Sequence, residues 1–178
     1  MNSLRLVRTA HQGVSEIDVR MMERAIELAR RAALDGEVPI AAVIYRGGEV
    51  LGEAANNREA MADPTGHAEI VAMREAGKRL GAWRLEGCSM AVTLEPCPMC
   101  AGALVNARLG KLIYGATDPK AGACETLYAI PGDTRLNHRV EMHGGVLAPR
   151  CIELLRAFFK ERRAQQKAVK DAARKRSA

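Results

Sequence analysis

Aromatic side chains are scarce: one Trp, three Tyr and two Phe account for 3% of 178 residues. A core made from this chain is aliphatic, and a broad base-stacking platform is excluded. No apolar run approaches the about 20 residues that a membrane-spanning helix needs. Arg5, Arg8 and His11 interrupt the N-terminal stretch, which lacks the apolar core of a secretory signal. The expectation is a cytoplasmic protein with no membrane contact. Internal repeats and linkers are absent, which argues for one domain. The cysteines number five (Cys88, Cys97, Cys100, Cys124 and Cys151), and an odd count without an export signal argues against a disulfide framework. A hydrophobic content of 48% against 27% charged residues excludes whole-chain disorder.

The net charge of +6 is unevenly spread. From Arg150 onward there are ten Lys or Arg and three Asp or Glu, whereas the first 149 residues carry 17 basic and 18 acidic side chains. A basic segment on a near-neutral body points to a polyanion partner or to a solvated terminal helix.

Residues 1–14 show no periodicity. Ser15 can cap a helix running to about Asp35, with Met22, Ile26, Ala29 and Ala33 as its apolar stripe and Gly36 as its stop. Val38 to Tyr45 reads as a buried strand, Gly47-Gly48 as a hairpin turn, and Glu49 to Ala55 as the returning strand. Asn56 to Thr65 is a loop, and a helix follows from His67 to Leu80. Ser89 to Leu94 is a third strand, and Pro98 suits the first turn of the next helix. Lys111 to Tyr114 and Arg139 to Met142 are further strands, with a short helical stretch around Glu125 to Ala129 between them. Pro149 opens the last helix. Strands alternating with helices predict a three-layer α/β architecture.

Three segments carry chemistry: Thr65-Gly66-His67-Ala68-Glu69, Glu95-Pro96-Cys97 and Pro98-Met99-Cys100. Together they spell H-x-E followed by P-C-x-x-C, the known signature of zinc nucleobase deaminases. Residues three apart at a helix start share a face, so Cys97 and Cys100 can reach one Zn2+. The helix N-terminus favours their thiolates. His67 makes a third ligand, which leaves a fourth position for water or hydroxide. Glu69 cannot share a helical face with His67 unless His67 sits at the entry turn; there it reaches the water as general acid and base. The competing reading is a structural zinc completed by Cys88, Cys124, Cys151, His138 or His143. It leaves Glu69 unexplained and lacks the second knuckle that such sites usually have. Cys88, Cys124 and Cys151 read as small buried residues.

On these segments the chain resembles the bacterial tRNA-specific adenosine deaminases of the cytidine deaminase superfamily. The resemblance spans about residues 18–160 and extends to Glu37-Val38-Pro39-Ile40, Asp63-Pro64, Thr93 through Ala103, Tyr114-Gly115-Ala116, Asp118 through Gly122 and Asn137-His138-Arg139-Val140. It implies a five-stranded mixed sheet between helices, a homodimer, one zinc per subunit, and conversion of adenosine to inosine at the wobble position of the tRNA anticodon stem-loop. By position it places Asn56 and the backbone of Ala68 on the target base, Asp118 close to the substrate nucleotide, and Asn137 with the Phe158-Phe159 pair near bound RNA. The chain departs from the family at Ala41, where Gly is frequent, and at Ala55, where Trp is frequent. The first change is expected to alter packing, the second the shape of the base pocket. The implied organisation is a flexible extension over 1–14, the deaminase domain over 15–160, and a basic helical tail over 161–178.

Two other functions use the same residues. A deaminase of a free base or nucleoside, of guanine or cytosine type, needs no basic tail. A non-catalytic, zinc-stabilised RNA-binding module needs no Glu69.

Overall fold

The computed structural model describes residues 13–176; residues 1–12 of the expected extension and 177–178 of the expected tail lie outside the described residues. Five strands, β1 (Ala41–Arg46), β2 (Glu49–Ala55), β3 (Ser89–Leu94), β4 (Lys111–Ala116) and β5 (Glu141–His143), form one sheet in the order β2-β1-β3-β4-β5. β1 is antiparallel to β2 and β3, while β3, β4 and β5 are parallel. The helices are α1 (Glu16–Leu34), the short α2 (Arg58–Met61), α3 (Ala68–Leu80), α4 (Pro98–Asn106) and α5 (Ala148–Arg176).

The strands alternate their side chains between two apolar layers. Ala42, Ile44, Met90, Val92, Leu112 and Tyr114 pack with Ala72 and Ala76 of α3 and Leu104 of α4. Val43, Tyr45, Ala91 and Ile113 pack on the other face with Met22, Ala25 and Ile26 of α1 and Cys151 of α5. This is the expected three-layer α/β/α sandwich with a five-stranded mixed sheet. Asp18 pins α1 to it. Its Oδ2 accepts from the Ser15 backbone at 2.7 Å, closing a capping box, and from Lys111 Nζ of β4 at 2.8 Å, while Oδ1 accepts from the Tyr45 hydroxyl of β1. No helix among the described residues is long and apolar enough to cross a membrane.

Three local expectations are corrected. The first strand starts at Ala41 rather than Val38, because Pro39 has no N–H for the ladder and the Ile40 N–H turns back onto Val38 O at 2.7 Å. The loop after β2 holds α2. Residues 125–129 run through a turn and a bend into irregular chain rather than a helix, followed by a 3₁₀ turn at Ile130–Gly132; the N–H groups of Cys124, Glu125 and Thr126 converge on one carboxylate, Glu95, instead of following a helix axis.

α3 approaches β2 so closely that a Cβ on Gly52 would lie 2.5 Å from Ala72 O and 2.7 Å from Ala76 N. Both neighbours are helix backbone and cannot swing away. Gly52→Ala therefore costs about 1–3 kcal/mol. It should lower the thermal midpoint by several degrees, and a midpoint within about one degree of wild type would refute this packing.

Candidate active site

The parallel half of the sheet brings the carboxyl ends of β3 and β4 together, and the chain leaves each of them into the same cleft. His67 stands at the N-cap of α3 with φ −78° and ψ 145°, so it is extended, not helical. The turn before it is fixed by Asp63 Oδ1, which accepts from the Thr65 backbone at 2.8 Å and its hydroxyl at 2.7 Å. The helical rule that separates positions two apart does not bind His67 to Glu69, and both side chains line the cleft. Cys97 is the N-cap of α4, also extended, and Pro98 opens the helix, which places Cys100 in its first turn.

His67 Nδ1 lies 3.6 Å from Cys97 Sγ and 3.5 Å from Cys100 Sγ. One nitrogen and two sulfurs within 4.8 Å of one another form the only such metal-binding group among the described residues. The donor set fits Zn2+, which favours exactly this mixture of imidazole and thiolate and keeps an open position when three protein ligands bind it. The Cys97 thiol is pushed down to about 5, first by a hydrogen bond from Cys100 and then by backbone N–H groups of Cys100 and Met99 at the start of α4. Cys100, the donor in that pair and buried, is pushed up. Two helix N-termini converge here, and both favour negative charge. Glu69 is 4% exposed. Burial raises its carboxyl above the ordinary Glu range, and the neighbouring Cys97 charge acts in the same direction.

The other cysteines and histidines do not join this cluster. Cys88 accepts from Arg46 at 3.4 Å, Cys151 lies beneath Gly115, His138 Nε2 donates to Leu109 O at 2.7 Å, and His143 pairs with Glu141. Cys124 is buried outside the group.

The cleft has a volume of about 270 Å³ and is walled by Asn56, Val38, Ile40 and Asp118 around Glu69, His67 and Cys97. Asn56 is buried, and its Nδ2 donates to Glu37 Oε2 at 2.8 Å. Glu37 Oε1 accepts from the Ala60 backbone at 2.8 Å. The amide is thereby oriented, with its nitrogen committed to Glu37 and its oxygen left for a partner. Ala68 is the first residue of α3 and fully buried; its backbone N–H is among those a helix leaves without an intrahelical acceptor. Asp118 is half-buried at the rim, its Oδ1 accepting from the Lys120 backbone at 2.9 Å. Asn137 is exposed, accepts from Arg108 at 2.6 Å and does not line this cleft. Phe158 is buried and Phe159 is half-exposed, the rings edge-to-face at 5.4 Å. Ala41 and Ala55 are cross-strand partners, so the two departures from the family sit opposite each other, and neither lines the cleft.

Sequence reasoning missed two carboxylates. Glu37 orients Asn56 from 19 residues away. Glu95, 2% exposed, gathers the segment after β4: Oε1 accepts from the backbone of Cys124, Glu125 and Thr126 at 2.9–3.0 Å, and Oε2 from the Asp118 backbone at 3.0 Å and the Thr126 hydroxyl. Gly122 passes so close that a Cβ there would lie 2.3 Å from Glu95 Oε2. The available signal was a charged residue at the end of an apolar strand, which must be exposed or fully partnered.

This fold with this site defines a zinc-type deaminase. The family model of the MafB19-like deaminases matches residues 17–163. The tRNA-specific adenosine deaminase of Bacillus subtilis (strain 168) is 46% identical over 153 residues, which cover 86% of this chain and 95% of that protein. A solved structure from a study of A-to-I editing by tRNA:A34 deaminases at the wobble position is 40% identical. It has a TM-score of 0.73 and covers 76% of this chain and 99% of that one. A guanine deaminase from Bacillus subtilis is 33% identical, with a TM-score of 0.53 over 61% of this chain and 80% of that one. The chain belongs to the deaminase family and, within it, to the tRNA-specific adenosine deaminases.

Burial alone would raise the Glu95 pKa, but the bonds from Thr126, Asp118 and Glu125 hold it below the ordinary 4.5. A depressed folded-state pKa contributes stability above the unfolded value and loses it as pH falls through the folded one. Glu95→Gln should therefore cost about 2–3 kcal/mol at neutral pH. Its deficit should shrink as pH drops below 4.5, and a deficit constant from pH 7 to pH 3, measured by chemical denaturation, would contradict the assignment.

Proposed function

We propose that the protein hydrolytically deaminates adenosine to inosine at the wobble position of the tRNA anticodon, releasing ammonia. The observation that carries this is the buried Glu69 carboxylate beside the His67, Cys97 and Cys100 donors, on the floor of a cleft walled by an oriented Asn56. His67, Cys97 and Cys100 would hold one zinc per subunit. When bound, zinc supplies the Lewis acidity that makes water a competent nucleophile near neutral pH.

The chain's own groups do the remaining work. Glu69 takes one proton from the attacking water and delivers it to the ring nitrogen beside the reacting carbon, then takes the second from the newly added hydroxyl and gives it to the amino group, which leaves as ammonia as the carbonyl forms. Its burial removes competing bulk water from that transfer. The Asn56 amide oxygen and the Ala68 N–H fix the base in plane. Asp118 sits at the rim with the nucleotide. Asn137 and Phe159 lie outside the cleft, where flanking nucleotides of the anticodon stem-loop would run. An anticodon base has to be splayed out of its stack to reach Glu69.

A homodimer is part of the same proposal. It is supported by an apolar groove between α3 and α4 lined by Ile70, Met73, Ala103 and Ala107, beside Trp83, which is 64% exposed. A cytoplasmic location follows from the tRNA substrate.

The test is incubation with an anticodon stem-loop bearing A at the wobble position, with inosine read by nuclease digestion and mass spectrometry. Wild type should form inosine, and Glu69→Ala should lose at least about 10²–10⁴ of the rate while retaining zinc. His67→Ala should lose the zinc itself, measured by inductively coupled plasma mass spectrometry. Activity on free guanine or cytosine without RNA turnover would move the assignment to a free-base deaminase. Full RNA-directed function in Glu69→Gln would move it to a binding module.

A further inference from the structure

α5 is 29 residues long, and its docked part is confined to its first turns. Cys151 and Phe158 are buried, and Ile152 and Leu155 join the α1-side cluster. From Phe159 through Lys175 every side chain is exposed. Six cations, Arg156, Lys160, Arg163, Lys167, Lys170 and Arg174, recur at alternating spacings of four and three. At about 100° per residue they fall within about 80° of arc, and at 1.5 Å per residue they extend over about 27 Å. Glu161 lies on the far side of the helix, and Glu153 and Asp171 only border the stripe. None of the six is in an ion pair among the described residues. The row is thus a continuous strip of unpaired positive charge on a different face of the helix from Cys151, Leu155 and Phe158.

Its position links it to the cleft. Leu94, at the end of β3, lines the cleft and packs in the same cluster as Leu155. The stripe begins at the next residue.

We infer that this stripe is a second RNA-binding surface, which holds the phosphate backbone of the folded substrate RNA beyond the loop whose base enters the cleft. The inference rests on the proposed function and names what extends it: a structured RNA larger than the loop. A row of Lys and Arg without hydrogen-bonding aromatics matches phosphate contact and carries no base readout. An anionic membrane fits less well, because an interfacial helix inserts large apolar residues opposite its basic face. Beyond Phe159 this helix offers only alanines and Val169.

The test uses the full chain with Glu69→Ala, so that bound RNA is not turned over. Affinity is measured from 50 to 200 mM salt for a full-length tRNA with A at the wobble position and for its isolated anticodon stem-loop. Adding Lys167→Gln, Lys170→Gln and Arg174→Gln keeps good helix formers at all three sites. For full-length tRNA the slope of log K against log salt should become shallower by about 2–3, since each phosphate contact contributes about 0.7–0.9. Affinity for the short stem-loop should change by less than about threefold, whereas full-length tRNA should lose about tenfold or more. Lys167→Arg with Lys170→Arg should restore wild-type values, and circular dichroism should show the helix intact. An unchanged slope, or an equal loss on both RNAs, overturns the inference. So does binding to phosphatidylserine vesicles that is tighter than to tRNA and lost in the triple variant. Failure of the wild-type protein to deaminate the stem-loop would instead overturn the function, so the two failures are distinguishable.

Discussion

Three donor atoms on two different helices must meet within a few ångström, and most of the fold answers that demand. His67 and Cys97 each occupy an N-cap, so α3 and α4 have to point their N-termini at one spot. Two positive helix ends would oppose each other there without thiolates between them. Bringing α3 close enough requires small contacts along its inner face. Ala68, Ala72 and Ala76 supply them, and Gly52 lets β2 come up against the helix backbone. The aliphatic, small-residue core is therefore a geometric requirement of the site as well as a consequence of scarce aromatics.

The second wall of the cleft is built differently. No regular element follows β4 at once; the chain wraps around the Glu95 carboxylate instead. A charge in that position substitutes for a layer of packing. Several donors to one carboxylate repay its desolvation where a single partner would not. Asp118 is held at the rim by its own backbone N–H on Glu95, the residue two before Cys97, so the Cys97 and Asp118 sides of the cleft share one anchor. Glu37 plays the parallel part for Asn56.

These two carboxylates mark the limit of what the sequence makes legible. The H-x-E and P-C-x-x-C spacings are local, and their chemistry can be reasoned from residue type and helix geometry alone. The continuous apolar runs of β1, β3 and β4 and the Gly47-Gly48 turn are equally local, and the alternation of strands and helices follows from them, whereas the mixed pairing of the strands is implied only by the family resemblance. Glu95 reaches 23 to 31 residues ahead, and Glu37 reaches 19 and 23. No periodicity records such pairings. The Val38 to Ile40 run shows the opposite error. Its apolar composition reads as strand, yet Pro39 cannot join a ladder, and the freed segment becomes cleft wall. The opposition of Ala41 and Ala55 across β1 and β2 is likewise visible only in the register.

The outer half of α5 poses a separate physical question, since an isolated helix of its length is marginal in water. Its nucleus is already formed on the body, where Cys151, Leu155 and Phe158 dock. Extension then costs only propagation, one hydrogen bond gained per residue fixed. The residues that follow are Ala, Arg, Lys, Gln and Glu almost without exception, the strongest helix formers, and Gln165 adds an i to i+4 bond to Glu161 at 3.2 Å. Like charges along one face oppose the helix by a few tenths of a kcal/mol per pair. A sequence selected only for a stable terminal helix would alternate signs on that face. Keeping six cations aligned accepts that repulsion in the free protein, and a polyanion laid along the strip removes it on binding.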